Sequence, residues 1–314
     1  LRLNILENLV TGGAGFIGSH LIEKLLRDKQ KVICIDNFSS GRKKNIEKFF
    51  SNPNFQFFQQ DITKSFDFDV QQIWHLGCPA SPKYYLRNPI KTSNINFNGT
   101  LNVLELAKKY NSKVLFTSSS EIYGDPIKCP QDENYQGSPN PTGIRSCYSE
   151  GKRIAESLSF DYMRLHNIDI KIARIFNTYG PNINENDGRV ISNFISAGLR
   201  NENLRIFGDG NQTRSFCYIN DLIEGLVKLM DSKYNHPINL GNPKEEYQIN
   251  DLADLIIFKT KSMAKKSYFP FLKDDPKKRK PSIDMANKLL DWHPTTGINE
   301  GLDYTIEHFK KINL

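Results

Sequence analysis

A chain of 314 residues, 38% hydrophobic and 25% charged, has the balance of an ordinary globular protein, with enough material for one large α/β unit or two lobes. No apolar run approaches the roughly 18 residues that a membrane span needs, and no basic-then-apolar leader opens the chain. The net charge of +7 suits nucleic acid or the grip of small anions such as phosphates, while five cysteines (Cys34, Cys78, Cys129, Cys147, Cys217), never spaced as CxxC, argue against a disulfide framework and a zinc site. No metal is expected, and the thiols are read as mostly buried and free.

The opening LRLNILENLVTGG puts Glu7 and Asn8 where a central strand is continuously apolar. Either the strand is only Leu9-Val10 with a ragged lead-in, or Leu3, Ile5 and Leu6 belong to an extra N-terminal piece. LVTGGAGFIGSHL (9 to 21) then reads as a strand end, a glycine turn and a helix carrying Ile17, Leu21, Ile22, Leu25 and Leu26 on one face. Glycines there allow a tight turn and close approach of backbone to a pyrophosphate, whose charge sits at the helix N-terminus. The next strand, VICID (32 to 36), ends on Asp36, where a carboxylate can accept the ribose hydroxyls and repel a 2′-phosphate. That favours NAD over NADP, with Arg42, Lys43 and Lys44 weighing the other way.

Further short runs succeed it: FQFFQQ (55 to 60), QIWHL (72 to 76), KVLFTS (113 to 118) and IDIKIAR (168 to 174). They alternate with amphipathic helical stretches such as that of Leu101, Leu104, Leu106 and Ala107. Such alternation predicts a doubly wound parallel sheet of the Rossmann kind, with ligands at the carboxyl ends of the strands. From about residue 178 the pattern loosens into Asn-, Gly- and Pro-rich connections, which reads as a smaller α/β C-terminal substrate lobe. The expected division is 1 to 177 for an NAD-binding domain and 178 to 314 for the substrate lobe, with an interleaved boundary.

In SCYSEGKRIAES (146 to 157), Tyr148 and Lys152 lie four apart in a helical stretch and so share a face. A phenol with its pKa near 10 is a poor base at neutral pH, but an adjacent ammonium and a nicotinamide cation both favour phenolate. The pair then fits a general base that removes a hydroxyl proton as hydride leaves the same carbon. Tyr and Lys at this spacing are common on solvated helices. Joined to the glycine turn, to Asp36 and to the hydroxyls of FTSSSEIYGDP (116 to 126), the functional reading outweighs the bland one.

TGGAGFIG with YSEGK resembles the extended short-chain dehydrogenase/reductase family, the nucleotide-sugar epimerases, dehydratases and decarboxylases. The likeness runs over nearly the whole chain and sharpens in HLGCPASP (75 to 82), NPIKT (88 to 92), SEIYGDP (120 to 126), RIFNTYGP (174 to 181), NDGRVISNFI (186 to 195), QTRSFCYINDL (212 to 222), NLGNP (239 to 243) and DDPKKRKPSI (274 to 283). Within the family these motifs are similar to those of the branch that decarboxylates UDP-glucuronate to UDP-xylose. Departures are Gly77 in place of the usual alanine, Ser149 in place of the usual aspartate, and the irregular first strand. The resemblance implies that NAD is held by Gly12, Gly15, Phe16, Ile17, Gly18, Asp36, Asn37, Phe38, Asp61, Ile62 and Leu76 together with Tyr148 and Lys152. It implies catalysis by Tyr148, Lys152, Ser119, Glu121 and Arg279, and substrate binding by Ser120, Asn177, Arg189, Val190, Arg214, Tyr218 and Arg279.

In this family C4 of the hexose is first oxidised, and the fate of the resulting ketone depends on side chains around C5 and C6. A 4,6-dehydratase places an Asp-Glu pair after the strand to protonate a departing hydroxyl; here the pair is Ser120-Glu121. A 4-keto uronic acid loses CO2 without that acid, so one carboxylate among alcohols makes sense for a decarboxylase. Glu121 is then expected to position a water or hold the ring, and Arg279 to meet the uronate bidentately, with Pro281 stiffening its loop. Arg214 and Arg189 are expected at the diphosphate or uridine, Asn177 near the phosphates and Tyr218 in the pocket wall. The alternatives are a UDP-sugar epimerase and a non-catalytic nucleotide-sugar-binding protein. The basic run Lys277-Lys278-Arg279-Lys280 lacks interleaved aromatics, so no nucleic-acid partner is expected. A homodimer paired through a four-helix bundle is implied by likeness. For location the expectation is the cytoplasm, or the Golgi lumen if an N-terminal anchor has been removed.

Overall fold

Asn8, the residue that breaks the apolar pattern, lies inside the first strand rather than ahead of it. In the computed structural model, which describes residues 6–276 and 278–313, β1 spans Glu7–Thr11 and Asn8 is fully buried. Its amide donates to Gln30 Oε1 at 2.8 Å and to the Lys31 carbonyl at 3.2 Å, and its Oδ1 accepts from Trp74 Nε1 at 2.9 Å. A buried amide is tolerated when its donors and acceptor are all met, as they are at Asn8. Glu7, at the wet end, pairs with Lys31 at 2.5 Å. The strand is therefore longer than Leu9-Val10, and Leu3 and Ile5 lie outside the described residues.

The chain continues through α1 (Phe16–Arg27), β2 (Lys31–Asp36), β3 (Phe55–Gln59), β4 (Gln72–His75), α2 (Pro82–Tyr85) and α3 (Pro89–Asn94). A π-helical turn, Ile95–Gly99, leads into α4 (Thr100–Tyr110), then β5 (Lys113–Ser119), α5 (Ser146–His166), β6 (Ile170–Ile175), β7 (Thr178–Tyr179), α6 (Val190–Leu199), β8 (Leu204–Phe207), β9 (Thr213–Ser215) and β10 (Cys217–Tyr218). The last elements are α7 (Ile219–Asp231), β11 (Pro237–Leu240), β12 (Glu246–Gln248), α8 (Ile249–Thr260), β13 (Lys266–Phe269), β14 (Lys278–Arg279), α9 (Asp284–Leu290) and α10 (Ile298–Asn313).

Seven strands form one parallel sheet in the order β11-β6-β5-β4-β1-β2-β3. Apolar clusters cover both faces, one including Leu21, Ile22 and Leu25 of α1 with Leu222 and Leu226 of α7, the other Val103 and Leu104 of α4 with Ala155 of α5. Each such fully buried leucine or isoleucine contributes about 1.5–3 kcal/mol, so the doubly wound sheet follows from its two greasy faces. Strand order reverses between β1 and β4, which opens a crevice at their carboxyl ends. The sheet takes β11 from beyond residue 178, while the rest of the C-terminal part builds small sheets of its own. In one of these β14 pairs with β9 so that Arg279 stands beside Arg214. No helix among the described residues is long and apolar enough to cross a membrane.

Candidate active site

The turn after β1 brings backbone to backbone. Gly12 has φ of +70°, and a Cβ there would lie 2.8 Å from Gly77 Cα. A Cβ on Gly18 would lie 2.4 Å from the Gly12 carbonyl oxygen, so glycine is required where α1 begins. The result is a cradle floored by main chain at a helix N-terminus, the geometry that accepts an anion. At the end of β2 the Asp36 carboxylate accepts from the Ala14 amide at 3.0 Å and the Phe38 amide at 2.7 Å. Burial pushes this carboxyl up, with those two hydrogen bonds opposing. Asn37 donates to Asp61 at 3.1 Å, tying β2 to the segment after β3. Gly12, Gly15, Phe16, Ile17, Gly18, Asp36, Asn37, Asp61, Ile62 and Leu76 all line the crevice, a cavity of about 370 Å³. Phe38 does not. Its φ of +57° turns the chain, and its ring packs on Phe57 with centroids 5.1 Å apart, so it shapes the loop from behind.

Further along the same cavity, Tyr148 and Lys152 stand one turn apart on α5, both buried. The Tyr148 ring lies parallel to that of Tyr85, centroids 4.8 Å apart and planes 4° apart. Burial pushes the Tyr148 phenol well above its usual range, and a hydrogen bond with the Ser119 hydroxyl opposes this. Lys152 donates to the Thr117 carbonyl at 2.8 Å, with its ammonium 5.9 Å from the Tyr148 ring centre, and burial lowers its pKa. Burial thus disfavours the charged form of both groups, raising the phenol and lowering the ammonium.

At the end of β5 the chain tightens into a 3₁₀ turn, Ser120–Tyr123, in which the Glu121 amide donates to Ser119 Oγ at 3.2 Å. The Glu121 side chain is buried, and its Oε1 accepts from Arg145 at 2.5 Å and Arg279 at 3.0 Å. Burial alone would raise this carboxyl, but the Arg279 and Arg145 guanidiniums more than offset that and hold it low. Asp275 takes Arg145 at 2.7 Å and Arg214 at 2.8 Å. Burial lowers Arg214 to about 10, with Asp275 opposing and Arg279 adding to the fall. Glu121 is therefore an ion-pair partner through Oε1, and Arg279 already meets an anion. Guanidiniums this deep need one, because an unpaired buried charge is costly.

Of the other expected substrate residues, Ser120, Asn177, Arg189, Val190 and Arg214 line the cavity. Arg189 pairs with Asp187 and lies 5.8 Å over the Phe16 ring, and Asn177 accepts from Arg279 at 3.4 Å. Tyr218 lies outside the lining. It ends β10 at the start of α7, with its ring 5.7 Å from Tyr179 and 6.0 Å from Tyr304, so it is a core residue beneath the site. Lys277 lies outside the described residues. Sequence reasoning missed Arg145, Asp275 and Tyr85. Arg145 carried a signal, since it stands three before Tyr148 and so one helical turn back. Asp275 lay in the DDPKKRKPSI run, whereas Tyr85 had no such signal.

The profile of the NAD dependent epimerase/dehydratase family matches residues 8–241. The chain belongs to this family. Among curated members, it is similar to UDP-glucuronic acid decarboxylase 6 of Arabidopsis thaliana, 50% identical over 303 residues that cover 96% of this chain and 88% of that protein. UDP-glucuronic acid decarboxylase 4 of the same plant is 48% identical over 311 residues, 99% of this chain and 70% of that protein. Among solved structures, UDP-glucuronic acid 4-epimerase from Bacillus cereus in complex with UDP-glucuronic acid and NAD superposes with a TM-score of 0.88 at 29% identity, over 98% of this chain and 100% of that one.

The residues present fit the cofactor in the name of the NAD dependent epimerase/dehydratase family. A methyl group at Gly12 or Gly18 would collide with the main chain that shapes the cradle, and Asp36 ends the second strand where a ribose would sit.

Proposed function

We propose that the protein decarboxylates UDP-glucuronate to UDP-xylose and CO2, taking up one proton and using NAD that is regenerated in every cycle. The observation that carries this reading is the pair of guanidiniums beyond Tyr148. Arg145 and Arg279, both in the cavity lining, share a single oxygen of Glu121, which sets two cations where a uronate would lie. Identities of 48–50% over nearly the whole chain to relatives named UDP-glucuronic acid decarboxylases support it.

The chemistry that NAD supplies when bound is reversible oxidation at C4 of the hexose, together with a positive nicotinamide ring. Tyr148 accepts the C4 hydroxyl proton, with Ser119 hydrogen-bonded to the phenol and Lys152 fixed by Thr117 beside it. A 4-keto uronate is a β-keto acid, so the protein need only hold its carboxylate out of the plane of the carbonyl for CO2 to leave. Arg279 and Arg145 hold that carboxylate, with Glu121 as the anion they share in its absence. As CO2 leaves, the negative charge moves to the C4 oxygen, where the Tyr148 hydroxyl that has just taken up the C4 proton and its partner Ser119 are placed to hydrogen-bond it. C5 then takes up the one proton that the overall reaction consumes. Ser120 stands at the same strand end to hydrogen-bond the sugar, and Arg189 and Arg214 serve the diphosphate and uridine.

Mass analysis of the product from UDP-glucuronate tests the reading. Loss of one CO2 with no added reductant is expected. A UDP-uronate of unchanged mass would make the protein an epimerase like its Bacillus cereus neighbour, and binding without turnover would make it a non-catalytic protein. The exposed Ile90, Phe97 and Ile154, on α3, the π turn and α5, support pairing of two copies through these helices.

A further inference from the structure

Behind the catalytic pair sits a second buried ion pair, which the proposed chemistry does not use. Glu156 lies one turn beyond Lys152 on α5 and is 7% exposed. Its carboxylate accepts from Ser118 Oγ at 2.5 Å and from Arg174 on β6 through two nitrogens, at 3.0 and 2.8 Å. Ser118 is flanked on β5 by the two residues that hold the catalytic side chains. Thr117 takes the Lys152 ammonium on its carbonyl, and the Ser119 hydroxyl bonds both Tyr148 and the Glu121 amide. Side chains alternate across a strand, so Glu156 grips this strand end from the face opposite Ser119.

From Arg174 the contacts run the other way. Its Nη1 donates to the Tyr123 hydroxyl at 3.0 Å, and Tyr123 donates to Asn239 Oδ1 at 2.8 Å. The Asn239 amide donates to the Gln131 carbonyl at 3.1 Å and the Ser282 carbonyl at 3.2 Å. Gln131 is in turn joined to Lys280 by two backbone-directed bonds of 2.8 and 2.9 Å, one residue from Arg279. A continuous hydrogen-bonded line, buried in part and half-buried in part, thus joins the strand end under Lys152 to the segment that carries Arg279.

We propose that the Glu156–Arg174 pair is a positioning device for the reaction, setting the β5 end that holds Tyr148 and Lys152 in register with the Arg279 segment. The inference rests on the decarboxylase reading and deepens it. A buried pair of this kind contributes little stability over an apolar replacement, so precision of placement is the use the geometry gives it. Neither residue reaches the cavity lining, so both act through their neighbours.

Two variants test it, Ser118→Ala and Glu156→Gln, with rates taken per NAD-loaded site and KM, kcat and thermal melting all recorded. Displacement of reacting groups by about 1 Å costs on the order of 100-fold, so kcat should fall about 10-fold in Ser118→Ala and about 100-fold in Glu156→Gln, with KM for UDP-glucuronate within about 2-fold of wild type. Ser118→Ala leaves the ion pair intact and gives a result even where Glu156→Gln does not fold. A wild-type kcat per loaded site, or a loss that follows only lost NAD and lowered melting, overturns the inference alone. A wild-type protein that releases no CO2 from UDP-glucuronate overturns the decarboxylase reading and this inference with it.

Discussion

Arg279 donates to Glu121 Oε1 at 3.0 Å, and that same oxygen takes Arg145 at 2.5 Å. One carboxylate oxygen therefore balances two guanidiniums from distant parts of the chain, one just before α5 and one on β14. Substrate binding, on our reading, brings a second carboxylate to these guanidiniums. The site is built so that the cations are never without an anion.

Glu121→Gln removes the charge while keeping the shape. Breaking a buried pair by deleting one partner typically costs about 3–5 kcal/mol, because the other charge is left stranded. Urea denaturation of the ligand-free variant should show a loss near the lower end of that range, since Asp275 still serves Arg145. UDP-glucuronate should restore part of it. An unchanged midpoint would mean that the Glu121 pairs contribute nothing.

The same pair sets an acid limit. Burial would raise the Glu121 carboxyl, but Arg279 and Arg145 hold it below its ordinary 4.5 in the folded protein. A carboxyl lower in the folded than in the unfolded state contributes stability that is full above the unfolded value and is lost as pH falls through the folded one. The stability gap between wild type and Glu121→Gln should therefore be constant from neutral pH to about 4.5 and shrink below it. Denaturation midpoints of both proteins across that range check this, and a gap that widens on acidification would refute it.

Much of this was legible from residue order. The glycine turn, Asp36 and the Tyr148–Lys152 spacing are local patterns, and a local pattern survives into the fold because neighbours in sequence share an element. Asn8 misled because hydropathy does not report that Gln30 and Lys31 at the start of β2 and Trp74 on β4 will satisfy its amide from two different segments. Glu121 and Arg279 were both singled out, yet their mutual pairing across 158 positions has no periodic signature. Tyr218 was placed in the pocket wall by motif likeness, but its ring is committed to Tyr179 and Tyr304.

Tyr148→Phe keeps the stack on Tyr85 and removes the hydroxyl that accepts the C4 proton. General-base catalysis is worth about 10²–10⁴-fold, so kcat should fall by that order while UDP-sugar affinity, measured by calorimetry, stays within a few-fold. A matching fall in affinity would instead place Tyr148 among the binding residues.

Gly18→Ala tests the cofactor cradle. Its added methyl would sit 2.4 Å from the Gly12 carbonyl oxygen, and backbone on both sides leaves no flexible side chain to give way. The turn must open, which spoils the close approach of main chain to a pyrophosphate. NAD retained through purification should drop to a small fraction of the wild-type amount, as read by absorbance after release. Full retention would show that the cradle is not where the dinucleotide sits.

Arg279→Lys separates charge from geometry. Register with Arg214 fixes the residue 279 backbone, and Ser215 anchors its carbonyl at 3.0 Å, so the substitution changes only what the side chain can reach. A guanidinium spans Glu121 and Asn177 together, at 3.0 and 3.4 Å, and still presents a planar edge to a carboxylate; an ammonium is a single point of charge. The loss of a bidentate, charge-assisted contact of about 1.5–3 kcal/mol corresponds to roughly 10- to 100-fold in KM for UDP-glucuronate. Binding of UDP-glucose should be nearly unaffected, because that sugar has no carboxylate for the guanidinium to meet. Equal weakening for both sugars would move Arg279 from the uronate to the diphosphate, and the carboxylate would then have to be held by Arg145.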